Sequence, residues 1–308
     1  MWARFDAGMC PVLQEVVDEY IASLTLKEQG QAGNNSNTVV AYRNDLHQVC
    51  TYLGQQKVEN WQQVTREHIA GYLLEMREGQ AYRPTTIARK LAALKSFFRY
   101  LRSIGMITSD PVEQLASPRL QKELPHVLSP EQIGSLFQQV EVETPAGMRD
   151  LAMLQMLYAT GMRVSELVSV NLEDVDAERA TVLCPGRKGT SKRERILPLP
   201  SMAVETIKKY LELARPRLVQ RHPNEKALFL NHHGERLTRQ GFWLIIKGYA
   251  RQAGITDITP HMLRHSFAIL MLQEGMELRT VQELLGHAHI STTQVYNQLA
   301  RAEITTSV

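Results

Sequence analysis

Between Gly79 and Ser109 this 308-residue chain has no Asp or Glu, although Arg83, Arg89, Lys90, Lys95, Arg99 and Arg102 all fall inside that stretch. A net charge of +3 for the whole chain is too small to imply a polyanionic partner, so the clustering carries the electrostatic signal. A second basic cluster, Arg187, Lys188, Lys192, Arg193 and Arg195, has only Glu194 as counter-charge. Cysteine is scarce: Cys10, Cys50 and Cys184 are odd in number and far apart, which excludes a disulfide framework and a Cys-x-x-Cys metal pair. No run nears the roughly 18 apolar residues of a membrane span. Met1 to Val12, interrupted by Arg4 and Asp6, has no secretory apolar core. These absences predict a cytoplasmic protein with reduced cysteines and no membrane partner. A phosphate-binding loop is missing, and no carboxylate cluster suited to a two-metal site is apparent, so no cofactor is expected.

What is there reads mainly as helix, in two domains. Tyr42, Leu46, Val49, Cys50 and Leu53 recur at helical spacing after a polar stretch, Asn34 to Asn37, that reads as loop. From about Thr85, Ile87, Leu91, Leu94, Phe98 and Leu101 form an apolar stripe with Lys95, Arg99 and Arg102 beside it. An acid-free basic helix of this kind is a candidate phosphate-contacting surface, formed by Arg83, Arg89, Lys90, Lys95 and Arg99, with Arg187, Lys192 and Arg193 as the second patch. Helical pattern stops at Asp110-Pro111, and Ala116 to Leu128, with Pro118 and Pro125, reads as a linker. Residues 11–115 are thus expected as one helical domain and 129–308 as a second. The latter opens on Ser129-Pro130-Glu131-Gln132, a capped helix start whose buried face is Ile133, Leu136, Phe137 and Val140. A small β-rich insertion follows, Ala180 to Cys184 and Arg195 to Leu199.

The chemistry-bearing residues sit at helix ends. Ser291 and Gln294 read as a cap and its third-position partner, which places Tyr296 in the early turns of a helix. A phenol with an ordinary pKa near 10 attacks at neutral pH only beside positive charge or a base. Thr259-Pro260 marks another helix start and puts His261 and Arg264 near its positive end, where an anion is favoured. Gly161 reads as a left-handed stop that redirects the chain at Arg163. Two arginines suit a phosphate because each donates paired hydrogen bonds and offsets transition-state charge. His261 and His265 are four apart, and His287 and His289 flank one residue, yet no local cysteine or carboxylate completes a zinc site.

Five motifs in order carry a resemblance: Thr160-Gly161-Met162-Arg163-Val164-Ser165-Glu166-Leu167; Gly186-Arg187-Lys188-Gly189 with Lys192 and Arg195; His261-Met262-Leu263-Arg264-His265; Leu284-Leu285-Gly286-His287; and Tyr296, nine residues after His287. The second domain resembles the catalytic domain of tyrosine recombinases, and the whole chain is similar to their bacterial Xer subgroup. The resemblance implies a mainly α fold: an N-terminal SAM-like DNA clamp and a mainly α catalytic domain with a small antiparallel sheet, the DNA breaking-rejoining enzyme fold. It implies Tyr296 as nucleophile, with Arg163, Arg264 and His287 on the scissile phosphate. His261 would assist proton removal or bond the phosphate, Lys188 or else Lys192 would be the general acid, and Glu166 would orient the basic cluster. His265 and His289 match no catalytic position and read as structural. The implied partners are duplex DNA with a specific recombination site, a homo- or hetero-tetramer with a related recombinase, and an activating protein. The implied task is chromosome or plasmid dimer resolution, the rivals being type IB topoisomerase chemistry and a binding-only relative. The resemblance also leads one to expect a longer segment beyond Tyr296 than the twelve residues from Asn297 to Val308, and no arm-binding domain before the clamp.

Overall fold

The computed structural model describes residues 11–30, 36–79, 82–118, 126–186, 194–287 and 289–306. They form two compact units, Met1–Lys122 and Glu123–Val308.

In the first unit, four helices, α1 (Pro11–Gly30), α2 (Ser36–Gln55), α3 (Arg66–Glu78) and α4 (Pro84–Ser103), turn their apolar stripes inward. Leu46, Val49, Cys50 and Leu53 of α2 meet Ile87, Leu94, Phe98 and Leu101 of α4 in one core with Leu13, Val17 and Tyr20 of α1. Leu91 is also fully buried. Trp61, on a single turn between α2 and α3, packs edge-on against Phe97 and Phe98, and its indole N–H donates to the Leu13 carbonyl at 3.1 Å. Burying each such large side chain contributes about 1.5–3 kcal/mol, which explains why the stripes were visible as spacing. The expected loop before α2 is shorter than its polar residues suggested: Ser36 and Asn37 already belong to the helix, and Asn34 lies outside the described residues.

One DNA-contact expectation fails here. Lys90 is only 2% exposed and does not join the basic face. Its ammonium donates to Asp45 Oδ1 at 2.9 Å and to Gln48, and its position on α4 points it into the bundle toward α2. A buried ammonium persists only when paired, and Asp45, 3% exposed, supplies the pair. Arg89 also bonds Asp45 while remaining largely exposed; Arg83 and Arg99 are exposed and Lys95 is half-buried. Removing Asp45 alone strands the Lys90 charge. Asp45→Ala is therefore expected to destabilise this unit by about 3 kcal/mol, whereas the pair exchange Asp45→Leu with Lys90→Met costs much less. Urea unfolding followed by tryptophan fluorescence compares them; equal losses for the two contradict the pairing argument.

The second unit contains α5 (Pro130–Gln138), α6 (Pro145–Thr160), α7 (Val164–Leu167), β1 (Val175–Asp176), β2 (Thr181–Cys184), β3 (Arg195–Pro198), α8 (Ser201–Lys209), α9 (Arg215–Leu218), α10 (Arg239–Gln252), α11 (Pro260–Gln273), α12 (Leu278–Leu285) and α13 (Ile290–Thr306). The antiparallel sheet runs β1-β2-β3, with Val182 opposite Val175 and Leu197. The two-residue β1 was not foreseen, being too short for an alternating pattern. Pro198 sits on the outer strand, where a missing donor is tolerated. Helix α6 is central: Ala152, Met153, Leu154, Met156 and Leu157 are all fully buried. Leu128, read from sequence as linker, is instead part of this core, and its amide and carbonyl both bond the Ser266 hydroxyl on α11. Helices α11, α12 and α13 share a smaller core of Phe267, Ala268, Ile269, Val281, Leu285, Tyr296 and Ala300. No helix among the described residues is long and apolar enough to cross a membrane.

Candidate active site

The site is built on the ends of helices. Thr144 caps α6, and Gly161 ends it in a left-handed conformation, φ +58°. The turn delivers Arg163 to the start of α7, where Glu166, at the third position of that helix, reaches back to the Arg163 amide at 2.8 Å. The same carboxylate accepts from the Arg163 guanidinium at 2.9 Å and from Arg195 of β3 at 2.9 Å. Two guanidiniums on one buried carboxylate hold the Glu166 carboxyl down at about 2, against the opposing effect of burial.

The carbonyl end of α12 holds the arginines. Leu284 O accepts from Arg195 Nε at 2.6 Å, Leu285 O from Arg264 Nη2 at 2.7 Å, and Gly286 O from Arg163 Nη2 at 3.1 Å. These carbonyls have no partner within the helix and sit at the negative end of its dipole, so cations belong there. Arg264, 3% exposed, donates its other bond to the Gly161 carbonyl. Burial and the neighbouring Arg163 pull the Arg264 guanidinium down to about 10. Among these side chains Arg163, Arg195 and Arg264 face the single carboxylate Glu166, a formal balance of 3 − 1 = +2. That surplus in a largely buried place is the condition for an anion site.

Tyr296 lies in the second turn of α13 and is 3% exposed. The helix begins at Ile290, one residue before the expected cap Ser291, and Thr292 N–H bonds His289 O at 3.2 Å. His287 stands 6.1 Å from Tyr296, centroid to centroid, and its Nδ1 is paired with the buried Thr293 hydroxyl at 2.9 Å. The Tyr296 hydroxyl itself is 2.7 Å from Nδ1 of His265. His261, one turn earlier on α11, has its ring 6.2 Å from that of His265 and is the more exposed of the two. Burial raises the Tyr296 phenol above its ordinary value, only partly opposed by Arg264 and Arg163.

Of the residues read from sequence, the structure brings together Arg163, Glu166, Arg264, His261, His287 and Tyr296. Lys188, Arg187, Lys192 and Arg193 lie outside the described residues. Sequence reasoning missed the His265 contact, the Arg195 tether and Thr293. The four-residue spacing of His261 and His265 was the signal that both face one side of α11. Among the described residues no group of three or more His, Cys, Asp or Glu is placed to hold a metal ion.

Two consequences are measurable. A Cβ on Gly161 would lie 2.3 Å from Phe267 Cδ1 and 2.9 Å from Leu285 Cδ2, on top of the left-handed φ. Gly161→Ala is expected to cost about 2–4 kcal/mol, from conformation plus overpacking. Because Gly161 and Leu285 supply the Arg264 acceptors, phosphate affinity should fall with stability; a melting point within a degree of wild type contradicts this. The second concerns acid. Burial first, then neighbouring cations, pushes His265 down to about 4 and His287 to about 3 from an ordinary 6.5. Below pH 6.5 the unfolded chain binds protons that the folded one refuses, so stability, complete above that pH, falls as pH drops toward 4 and 3. The slope is at most about 1.4 kcal/mol per pH unit for each histidine, less for partial solvent screening. Glu166 acts in the same direction, but only below its ordinary 4.5. Circular dichroism melts at pH 8, 7, 6 and 5 should decline only below about 6.5; a flat profile contradicts neutral buried imidazoles.

Residues 126–303 match the family described as Phage integrase family, and 17–105 match Phage integrase, N-terminal SAM-like domain. Tyrosine recombinase XerC of Roseiflexus castenholzii is 47% identical over 267 residues, 86% of this chain and 84% of that protein. Tyrosine recombinase XerD of Listeria innocua is 40% identical over 295 residues, 95% and 96% of the two chains. In fold, the chain is similar to XerH site-specific recombinase bound to palindromic difH substrate in a post-cleavage complex. There the TM-score is 0.72 at 20% identity, covering 98% of this chain and 97% of that one. A lambda integrase dimer bound to a COC′ core site gives 0.70 at 17% identity over 92% and 94%. By motif order, by both matched domains and by identity to Xer relatives along most of their length, this chain belongs to the phage integrase family of tyrosine recombinases.

Proposed function

We propose that the chain exchanges DNA strands at a specific recombination site through Tyr296, without metal or nucleotide. The observation that carries this reading is the surplus of two positive charges beside a buried phenol. A phosphodiester carries one negative charge and its pentacoordinate transition state two, so the pocket matches the transition state better than the ground state. In the proposed step the Tyr296 hydroxyl gives its proton to His261 or water as its oxygen bonds phosphorus, the bond to the 5′ oxygen breaks, and the departing oxygen takes a proton from Lys188 or Lys192. The product is a 3′-phosphotyrosyl link and a free 5′ hydroxyl. Attack by another 5′ hydroxyl reverses the step, so bond energy is kept and no nucleotide is required. Arg163, Arg264 and His287 would hold the non-bridging oxygens, and His261 would bond the phosphate or assist the proton.

Arg83, Arg89, Lys95 and Arg99 of the first unit, with Arg187, Lys192 and Arg193 of the second, would contact backbone phosphate and position the protein without specifying sequence. The Xer relatives favour chromosome or plasmid dimer resolution by a tetramer on two sites, with a related recombinase and an activating protein as partners, in the cytoplasm on nucleoid DNA. A type IB topoisomerase shares the chemistry and differs in product. A supercoiled plasmid carrying two copies of a candidate site separates the two: two circles support recombination, whereas relaxation that occurs equally without the sites supports the topoisomerase reading.

A further inference from the structure

The nucleophile is held by a residue to which no role was given from sequence. The Tyr296 hydroxyl lies within hydrogen-bond distance of Nδ1 of His265, at 2.7 Å, with the rings 5.3 Å apart and inclined at 43°. The phenol is 3% exposed, while His265 is half-buried, so the contact closes the phenol off beneath the imidazole. Nδ1 can accept only if the imidazole is neutral with its hydrogen on Nε2. Burial, then His261 and Arg264, disfavours the cation here. Burial pushes His265 down to about 4 and raises the Tyr296 phenol above its ordinary range, so the shared proton stays on oxygen. As placed, His265 therefore holds the proton rather than taking it. Among the described residues the hydrogen bonds of Arg163 and Arg264 go to Glu166 and to backbone carbonyls, none to the Tyr296 oxygen.

We propose that His265 is a positioning residue that latches the Tyr296 hydroxyl in a buried, protonated resting state, which the arriving phosphate must undo before attack. The proposal rests on the reading of Tyr296 as nucleophile. Its chemical logic is protection: a phenol released beside Arg163 and Arg264 would ionise more readily, whereas one held buried against His265 is kept away from the phosphate. DNA binding supplies an anion that the guanidiniums grip; the hydroxyl then leaves His265, gives its proton to His261 or water, and its oxygen bonds phosphorus as the bond to the 5′ oxygen breaks.

The test uses the free full-length protein, acetylated with N-acetylimidazole and mapped by peptide mass spectrometry at Tyr296. Two variants separate hydrogen bonding from packing. His265→Leu fills the space without an acceptor; His265→Asn is smaller but keeps one. The latch requires Tyr296 acetylation about tenfold faster in His265→Leu, the worth of one hydrogen bond, and near wild type in His265→Asn. The opposite order, or no change in either, overturns it. Long-range nitrogen-proton spectra of histidine-labelled wild type should show His265 as the Nε2–H tautomer at pH 7, and the Nδ1–H form or the cation overturns the latch without any variant. Covalent DNA adduct formation by His265→Leu should stay within about threefold of wild type or rise. Loss of adduct with retained DNA binding makes His265 a participant in the chemistry and overturns the latch as well. If wild type itself forms no adduct on DNA, the recombinase reading fails, while the order of acetylation rates still decides the latch.

Discussion

Arg264→Ala is expected to slow covalent attachment to DNA by at least about a thousandfold, with DNA binding by the first unit little changed. The formal balance of the pocket would fall from +2 to +1 on loss of one guanidinium, so it would match the ground-state phosphodiester and no longer the doubly charged transition state. Loss of a preorganised donor in a water-excluded site costs catalysis more than binding, because the interaction strengthens as charge develops. Arg264 also satisfies the Gly161 and Leu285 carbonyls, and leaving them unpaired costs about 1–3 kcal/mol each. Arg264→Lys separates these effects: it keeps the charge but cannot bond two carbonyls and a phosphate in one plane, so a loss of about a hundredfold is expected. Single-turnover adduct rates beside melting points give the comparison. A variant that melts normally and attaches within tenfold of wild type would contradict the phosphate role.

The second large effect is at Tyr296. Removing its oxygen deletes the atom proposed to bond phosphorus, and among the described residues the two nearest imidazoles are engaged, Nδ1 of His265 with the phenol itself and Nδ1 of His287 with the Thr293 hydroxyl. Tyr296→Phe is expected to form no adduct at all. Its stability cost should be about 1 kcal/mol, the hydrogen bond to His265, because the ring remains packed with Phe267 and Leu285 in the small core. Loss of chemistry without loss of fold is what distinguishes a nucleophile from a buried tyrosine.

The legible parts of the molecule were those that local sequence encodes. Ser129 and Gln132 form the reciprocal cap that their spacing announces, the Gln132 amide donating to Ser129 Oγ and the Ser129 amide to Gln132 Oε1. Gly161 takes the left-handed conformation expected where Arg163 must change direction. The apolar stripes of α2 and α4 are buried as read except Tyr42, which is half-buried, since 3.6-residue periodicity and burial are one geometric fact. The illegible parts depend on partners distant in sequence. Lys90 looks like its exposed neighbours until Asp45, 45 residues earlier, is placed beside it. The convergence of Arg163, Arg195 and Arg264 on the last carbonyls of α12 involves backbone atoms, which have no residue signature. His265 matched no catalytic motif, and only the packing of α11 against α13 shows that it meets Tyr296.

Whether Tyr296 breaks DNA by becoming covalently joined to it is decided with a nicked suicide duplex carrying a candidate site. The duplex is incubated in EDTA with wild type or Tyr296→Phe and resolved on a denaturing gel. A protein-DNA adduct formed by wild type alone, mapping to Tyr296 by peptide mass, is the result expected. DNA binding by wild type with no adduct on any site, or an equal adduct with Tyr296→Phe, would contradict a Tyr296 nucleophile.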